Sequence, residues 1–199
     1  MDLLANLGIS VKIWPVPVEA DHTIPFADDR VHASYDAAQV HCFFQMLRHA
    51  DRVTKRFHGR FLGKSSPVHF FWGAFDLAFT RFSGRRASHK DTDWWVLQEA
   101  NSHEEISVGF WPGSGTVAEP AFYAYARPEP ERLAGSSVRP AAARYDPALA
   151  DFILPYDAAR SAPSPDDEVL EFYQSVYAAA ADLAHWDRAA LDRPSTEWA

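Results

Sequence analysis

The stretch Val68-His69-Phe70-Phe71-Trp72-Gly73-Ala74-Phe75-Asp76-Leu77-Ala78-Phe79-Thr80-Arg81-Phe82 decides the fold. Two apolar runs flank Gly73-Ala74, a short glycine-containing link of the kind that joins hairpin strands. With Gly73-Ala74 as the two-residue turn, Trp72 faces Phe75, Phe71 faces Asp76 and His69 faces Ala78. Facing residues share a side of a sheet, because successive side chains alternate. Val68, Phe70, Trp72, Phe75, Leu77 and Phe79 then make one wholly apolar face, and His69, Phe71, Asp76, Ala78 and Thr80 stand on the other. His69 and Asp76 become diagonal neighbours, about 7–8 Å apart at the backbone. Arg81 falls in register with the apolar residues. That is an odd place for a guanidinium, and it predicts either emergence at the sheet edge or a buried acidic partner.

Upstream, Asp36 as N-cap, Gln39 three residues later and Tyr35 beside Val40 match a capping box with a hydrophobic staple. Phe43, Leu47, Ala50, Phe57 and Phe61 recur on one face of a helix over residues 36–61, stopped by Gly59 or Gly63. Arg48, Arg52, Lys55, Arg56 and Arg60 fall opposite, with Lys64 just beyond. At the start of the chain, Leu3, Leu4 and Leu7 read as a final helical turn with Gly8 as its left-handed cap. A strand is predicted at residues 9–14, ended by Pro15 and Pro17.

Downstream, residues 83–86 read as a turn and 93–100 as a short helix. Strands are predicted at 106–111 and 121–126, with Phe122 on one face and Tyr123 and Tyr125 on the other. Residues 127–148 are Pro-rich loop, and 152–154 a last short strand. Ser164 as N-cap, Pro165 at the first helical position and Asp166, Asp167 and Glu168 in the first turn start the final helix. Its stripe is Val169, Phe172, Val176, Ala180 and Leu183, and the tail after Trp186 is expected to be peripheral. The fold class is α+β: a mostly antiparallel sheet with two main helices packed on its apolar face, in one domain over residues 1–199.

The 199 residues are 47% hydrophobic and 14% aromatic, enough for a real core. Cys42 is the only cysteine, so neither an intrachain disulfide nor a thiolate cage can form. The first residues lack the charged and apolar regions of a signal peptide, and no apolar run reaches a membrane span, so the expectation is a cytoplasmic protein without membrane contact. The net charge of −8 divides unevenly: residues 48–90 carry +8, residues 1–47 carry −4 and residues 91–199 carry −12. The basic middle can attract an anionic ligand or pair with its own flanks; overall acidity argues against nucleic acid.

His69, Asp76, His103, Glu104 and Glu105 are the candidates for acid/base chemistry or for a divalent metal. No HExxH or His-x-His spacing supports a metal, and the competing reading is a histidine bonded to Asp76 within a sheet. Arg81, Arg85 and Arg86 are candidates to clamp a carboxylate or phosphate. Trp72, Trp94, Trp95, Trp111, Tyr123 and Tyr125 can line a pocket or fill a core. Gly113-Ser114-Gly115 is a turn rather than a nucleophile elbow, and no nucleophilic triad can be assembled.

The blocks Phe61-Leu62-Gly63-Lys64-Ser65-Ser66-Pro67-Val68-His69-Phe70-Phe71-Trp72-Gly73 and Phe75-Asp76-Leu77-Ala78-Phe79-Thr80-Arg81-Phe82-Ser83-Gly84-Arg85 open a series that continues downstream. Ser102-His103-Glu104, Gly109-Phe110-Trp111-Pro112-Gly113 and Ala121-Phe122-Tyr123 follow in order. Together they resemble an uncharacterised bacterial family, domain of unknown function 5996. The resemblance brings no activity. It implies about a hundred further residues upstream, so the chain is expected to be the C-terminal two thirds of a longer domain, short of some sheet partners.

Three readings follow. The first is a domain binding a small molecule or a partner through an aromatic-rich face, with Trp72, Arg81, Arg85, Trp111 and Tyr123 in contact. The second is a metal-assisted or acid/base hydrolase-like enzyme using His69, Asp76, His103 and Glu104. The third is a remnant without activity. Cofactor, metal and oligomeric state are not specified by the sequence.

Overall fold

The computed structural model describes residues 2–17, 23–87, 95–115 and 117–194. Its α+β architecture grows from the hairpin. β1 (His69–Phe71) pairs antiparallel with β2 (Asp76–Arg86) in the expected register, His69 with Ala78, Phe70 with Leu77 and Phe71 with Asp76. The turn is wider than two residues: 72–75 all lie in it, and Phe75 adopts a left-handed φ of 62°. β3 (His103–Trp111), β4 (Ala121–Arg127), β5 (Arg144–Asp146) and β6 (Asp151–Pro155) complete one antiparallel sheet in the order β1-β2-β3-β4-β6-β5. Both β5 and the 3-10 turn Leu133–Gly135 lie inside the segment expected to be loop.

Short α1 (Asp2–Asn6) closes on Gly8, whose φ of 72° confirms the left-handed cap. The long helix α2 (Ala37–His58) starts where Asp36 accepts hydrogen bonds from the Ala38 and Gln39 amides. Then come α3 (Trp95–Ala100), α4 (Tyr156–Arg160), α5 (Pro165–Leu183) and α6 (Arg188–Leu191). α5 begins with proline at its first position as expected, although the Ser164 side chain makes no capping bond.

α2 and α5 cover one face of the sheet. Val53 and Phe57 from α2, with Val169, Phe172, Tyr173, Val176 and Tyr177 from α5, bury against Phe79, Val108, Phe110, Phe122 and Leu154. Phe57 sits at the junction, edge-on to Phe79 at 5.9 Å and to Tyr177 at 6.1 Å. Each such buried ring contributes about 1.5–3 kcal/mol of transfer free energy.

Four expectations are corrected. Residues 9–14 alternate as a strand does but enter no ladder, because alternation supplies no hydrogen-bonding neighbour and a lone strand has little stability. Tyr35 and Val40 are both exposed rather than stapled. The apolar face is not wholly covered: Leu77 and Phe79 are buried, but Phe70, Phe75 and Trp72 are 38%, 50% and 73% exposed. The fully buried residues of α2 all come from its C-terminal half, and from its first turns only Phe43 reaches the hairpin tip, at Phe70 and Phe75, among the described ring contacts. Finally, the tail beyond Trp186 is structural. The Leu62 amide donates to Leu191 at 2.7 Å and the Arg193 amide to Arg60 at 3.0 Å, strapping α6 to the end of α2.

Candidate functional site

Asp76 lies buried on the sheet face opposite the helices and accepts a 2.5 Å hydrogen bond from the Tyr123 hydroxyl. The two residues belong to β2 and β4, with β3 between them. The bond exists because the intervening partner of Tyr123 is Gly109, and the phenol ring lies where a Gly109 side chain would be. Burial first, and the Asp76 carboxylate second, push the Tyr123 phenol well above its ordinary range. Tyr125 stacks parallel to Tyr123 at 6.0 Å, and Arg127 lies over Tyr125 at 4.4 Å. His69 and Asp76 do share this face on neighbouring strands, but His69 is exposed and packs on Phe71 at 4.3 Å. Trp111 is half-buried at the same end of the sheet.

His103 and Glu104 occupy the other end of β3. Trp111 stands eight positions along the strand from His103, about 27 Å at the rise of an extended strand. The four residues considered for catalysis therefore divide into two places. A register shift in β2 between Phe82 and Arg86, with Gly84 at a φ of 88°, turns Arg85 toward the helices. Arg85 bonds Glu104 at 2.6 Å and also donates to the Ala184 and His185 carbonyls just past the end of α5, where a cation complements the helix dipole. His103 meets Ser102 at 3.2 Å.

Beside this clasp opens a cavity of about 380 Å³ lined by Glu104, Glu105, Arg127, Glu129, Arg132 and Trp186, among others. The Glu105 side chain, next along β3, turns to the opposite sheet face, toward Arg127 and Tyr125. Burial raises its pKa to about 7 against the opposing pull of Arg127. Asp151, paired with Arg127 at 2.9 Å, is likewise raised by burial to about 6.

A carboxylate whose folded pKa lies above its open-chain value of 4.5 holds its proton more tightly when native. Its stabilising contribution is complete below about pH 4.5 and is lost as pH rises through 7. Glu105→Gln is thus expected to match the parent at pH 4 and to exceed it by about 1–3 kcal/mol at pH 8, measured by urea unfolding.

Arg81 neither emerges at an edge nor meets an acid directly. It is fully buried, its guanidinium 3.4 Å from the Phe57 ring centre, 4.3 Å from Tyr177 and 4.9 Å from Phe61. Its Nη2 donates to the Phe57 carbonyl, while Nε and Nη1 meet no acceptor among the described residues. Burial lowers its pKa to about 10. Such a group does not reach a ligand on the sheet surface.

The basic face of α2 largely pairs with acidic neighbours. Arg52 bonds Asp166 at 2.7 Å, Arg56 bonds Asp167 at 2.9 Å and Lys55 bonds Asp51 at 2.7 Å. Trp94 and the side chain of Trp95 lie outside the described residues. Among the described residues, no three His, Cys, Asp or Glu side chains gather closely enough to hold a metal ion, and no helix is long and apolar enough to cross a membrane. The roles of Arg127 and Asp151 carried no local signal, since each is defined by a partner on another strand.

A family model described as "Family of unknown function (DUF5996)" matches residues 1–193. No curated protein and no solved structure matches the chain.

Proposed function

Because this chain belongs to DUF5996, a family of unknown function, we propose its role from its own surfaces: it is a binding domain that holds an apolar or ring-bearing small ligand on the aromatic tip of its first hairpin. The observation that carries this reading is the exposure of Phe70, Phe71, Trp72 and Phe75 together, beside a core whose other rings are closed off. Contiguous apolar surface of this kind marks ligand or partner sites, whereas scattered exposed side chains do not. Phe43 stacks on Phe75 at 5.4 Å and Phe70 meets Phe75 edge-on at 5.0 Å; at the turn Phe26 reaches Trp72 at 6.4 Å, and Phe71 packs on His69 at the other side of the tip. Trp72 and Tyr123 are therefore assigned different tasks, Trp72 as a contact residue and Tyr123 as a buried brace for Asp76.

The test uses Nile red, an uncharged apolar dye. Parent protein is expected to bind it and brighten it. The Phe71→Ser/Trp72→Ala variant is expected to lose most of that signal while its unfolding free energy stays within about 0.5 kcal/mol of the parent. A dye signal unchanged in the variant overturns the proposal.

One observation favours a second reading, acid/base chemistry of a hydrolase-like kind. Glu105, poised near neutrality, is buried beside Arg127 on the sheet face that carries Tyr125, and a general acid or base works best when its pKa lies close to the working pH. In that reading Glu105 takes the part first considered for His69, and Glu104, held by Arg85 on the helix side of the sheet, takes none.

A further inference from the structure

The cavity beside the Arg85 clasp is walled by the ends of β3 and β4 and by the last turn of α5. Ile106, Ala126, Ala180, Leu183 and Trp186 give it an apolar floor, and its volume of about 380 Å³ suits a small molecule. The charged residues along the walls have separate duties. Glu105 and Arg127 turn their side chains to the opposite sheet face, where Arg127 pairs with Asp151, and Glu129 accepts from the Tyr145 hydroxyl. Glu131, Arg132 and His185 are exposed.

Two polar atoms on these walls are left over. On Glu104, the Ser83 hydroxyl at 3.0 Å and Arg85 at 2.9 and 2.6 Å all donate to Oε2, while Oε1 accepts nothing among the described residues. Trp186 supplies the other. It is only 7% exposed, yet its indole N–H donates to nothing among the described residues. A donor on so buried a residue ordinarily finds an acceptor, and one spare beside a cavity marks a place where a ligand completes the set. Backbone strain falls in the same place. Arg132 and His185 adopt left-handed φ angles of 70° and 53°, two of the four non-glycine residues that do so among the described residues. Such conformations persist where the surroundings hold them, and they gather at ligand clamps.

We propose that this cavity binds a small ring-bearing amine in its protonated form. The ammonium donates to Oε1 of Glu104, a charge-assisted bond of the stronger kind. The C-terminal end of α5 favours a cation there as well, and both features disfavour an anion. The ring packs on the apolar floor and offers its face to the Trp186 N–H. Arg85 is a positioning residue, holding Glu104 by its other oxygen. The cavity lies at the His103 end of β3 and the hairpin tip at the Trp111 end, so the two sites stand or fall separately.

Benzylamine, benzyl alcohol and benzoate are the probes, one ring with a cationic, a neutral and an anionic head, titrated into the whole chain by calorimetry at neutral pH. Benzylamine is expected to saturate one site, benzyl alcohol to bind about tenfold more weakly for want of the charge-assisted bond, and benzoate not to bind. Glu104→Gln is expected to bind the amine no tighter than the alcohol. Ala184→Phe, which fills the cavity from its half-buried wall, is expected to lose both. Thermal melting checks that each variant folds, and Ala184→Phe carries the test should Glu104→Gln not fold. Phe71→Ser/Trp72→Ala, at the distant tip, is expected to bind benzylamine like the parent. No binding of benzylamine by the parent, equal binding of benzoate, or a preference for the amine retained in Glu104→Gln overturns the proposal. Full binding by Ala184→Phe, or lost binding in the tip variant, overturns it equally.

Discussion

Gly109→Ala is expected to destabilise the protein by about 3–4 kcal/mol. Glycine is ordinarily a poor strand residue, and alanine in its place gains about 0.5–1 kcal/mol from the lower entropy of the unfolded chain. Here the sign reverses. A methyl group at Gly109 meets the Tyr123 ring and also the Leu77 carbonyl. The ring can swing only by giving up its bond to Asp76. The carbonyl belongs to the backbone of β2 and cannot retreat without opening the ladder. β3 lies between β2 and β4, so neither side offers room. Urea unfolding of Gly109→Ala against Gly135→Ala, a position where nothing lies within 4 Å, makes the comparison. A Gly109→Ala midpoint no lower than that of the control would show that the phenol does not occupy the gap.

Arg81→Ala is expected to cost about 3–5 kcal/mol, because truncation leaves a cavity among Phe57, Phe61 and Tyr177. Charge is a separate matter. Two of the guanidinium nitrogens meet no acceptor among the described residues, so the cation is held mostly by ring faces and one carbonyl. Replacing a poorly compensated buried charge by an apolar side chain of similar length is often neutral or stabilising. Arg81→Met is therefore expected within about 1.5 kcal/mol of the parent, on either side, by the same denaturant titration. If methionine costs as much as alanine, the guanidinium contributes through its charge and not through its bulk.

The parts legible in the sequence were those decided by near neighbours. Alternation fixed which side of the hairpin each residue would take, and the β1–β2 register followed to the residue. Asp36 and Pro165 marked their helices because capping chemistry is local. What escaped depended on distant partners. Asp76 was visible, but its companion Tyr123 lies 47 residues on and is reachable only across a glycine in a third strand. His103 and Glu104 were grouped with Asp76 by residue type alone, and the length of β3 separates them. Arg81 was correctly placed on the apolar side, yet its box is built from two helix faces and the link after α2, and no spacing rule announces that. Residues 9–14 show the converse failure: the pattern of a strand was present without a ladder to join. Of the basic stripe, Arg52 and Arg56 found acidic partners on α5 and Lys55 found Asp51 on α2 itself.

The strap between residues 60–62 and 191–193 has a kinetic side. Those backbone bonds join segments about 130 positions apart, and loops of that span close late because the chain entropy they cost must be met before the contacts reward it. During synthesis the end of α2 waits, unclasped, until about 130 further residues have been made. The clasp of α6 on the end of α2 forms only once residues 191–193 exist, long after the hairpin that carries the aromatic tip.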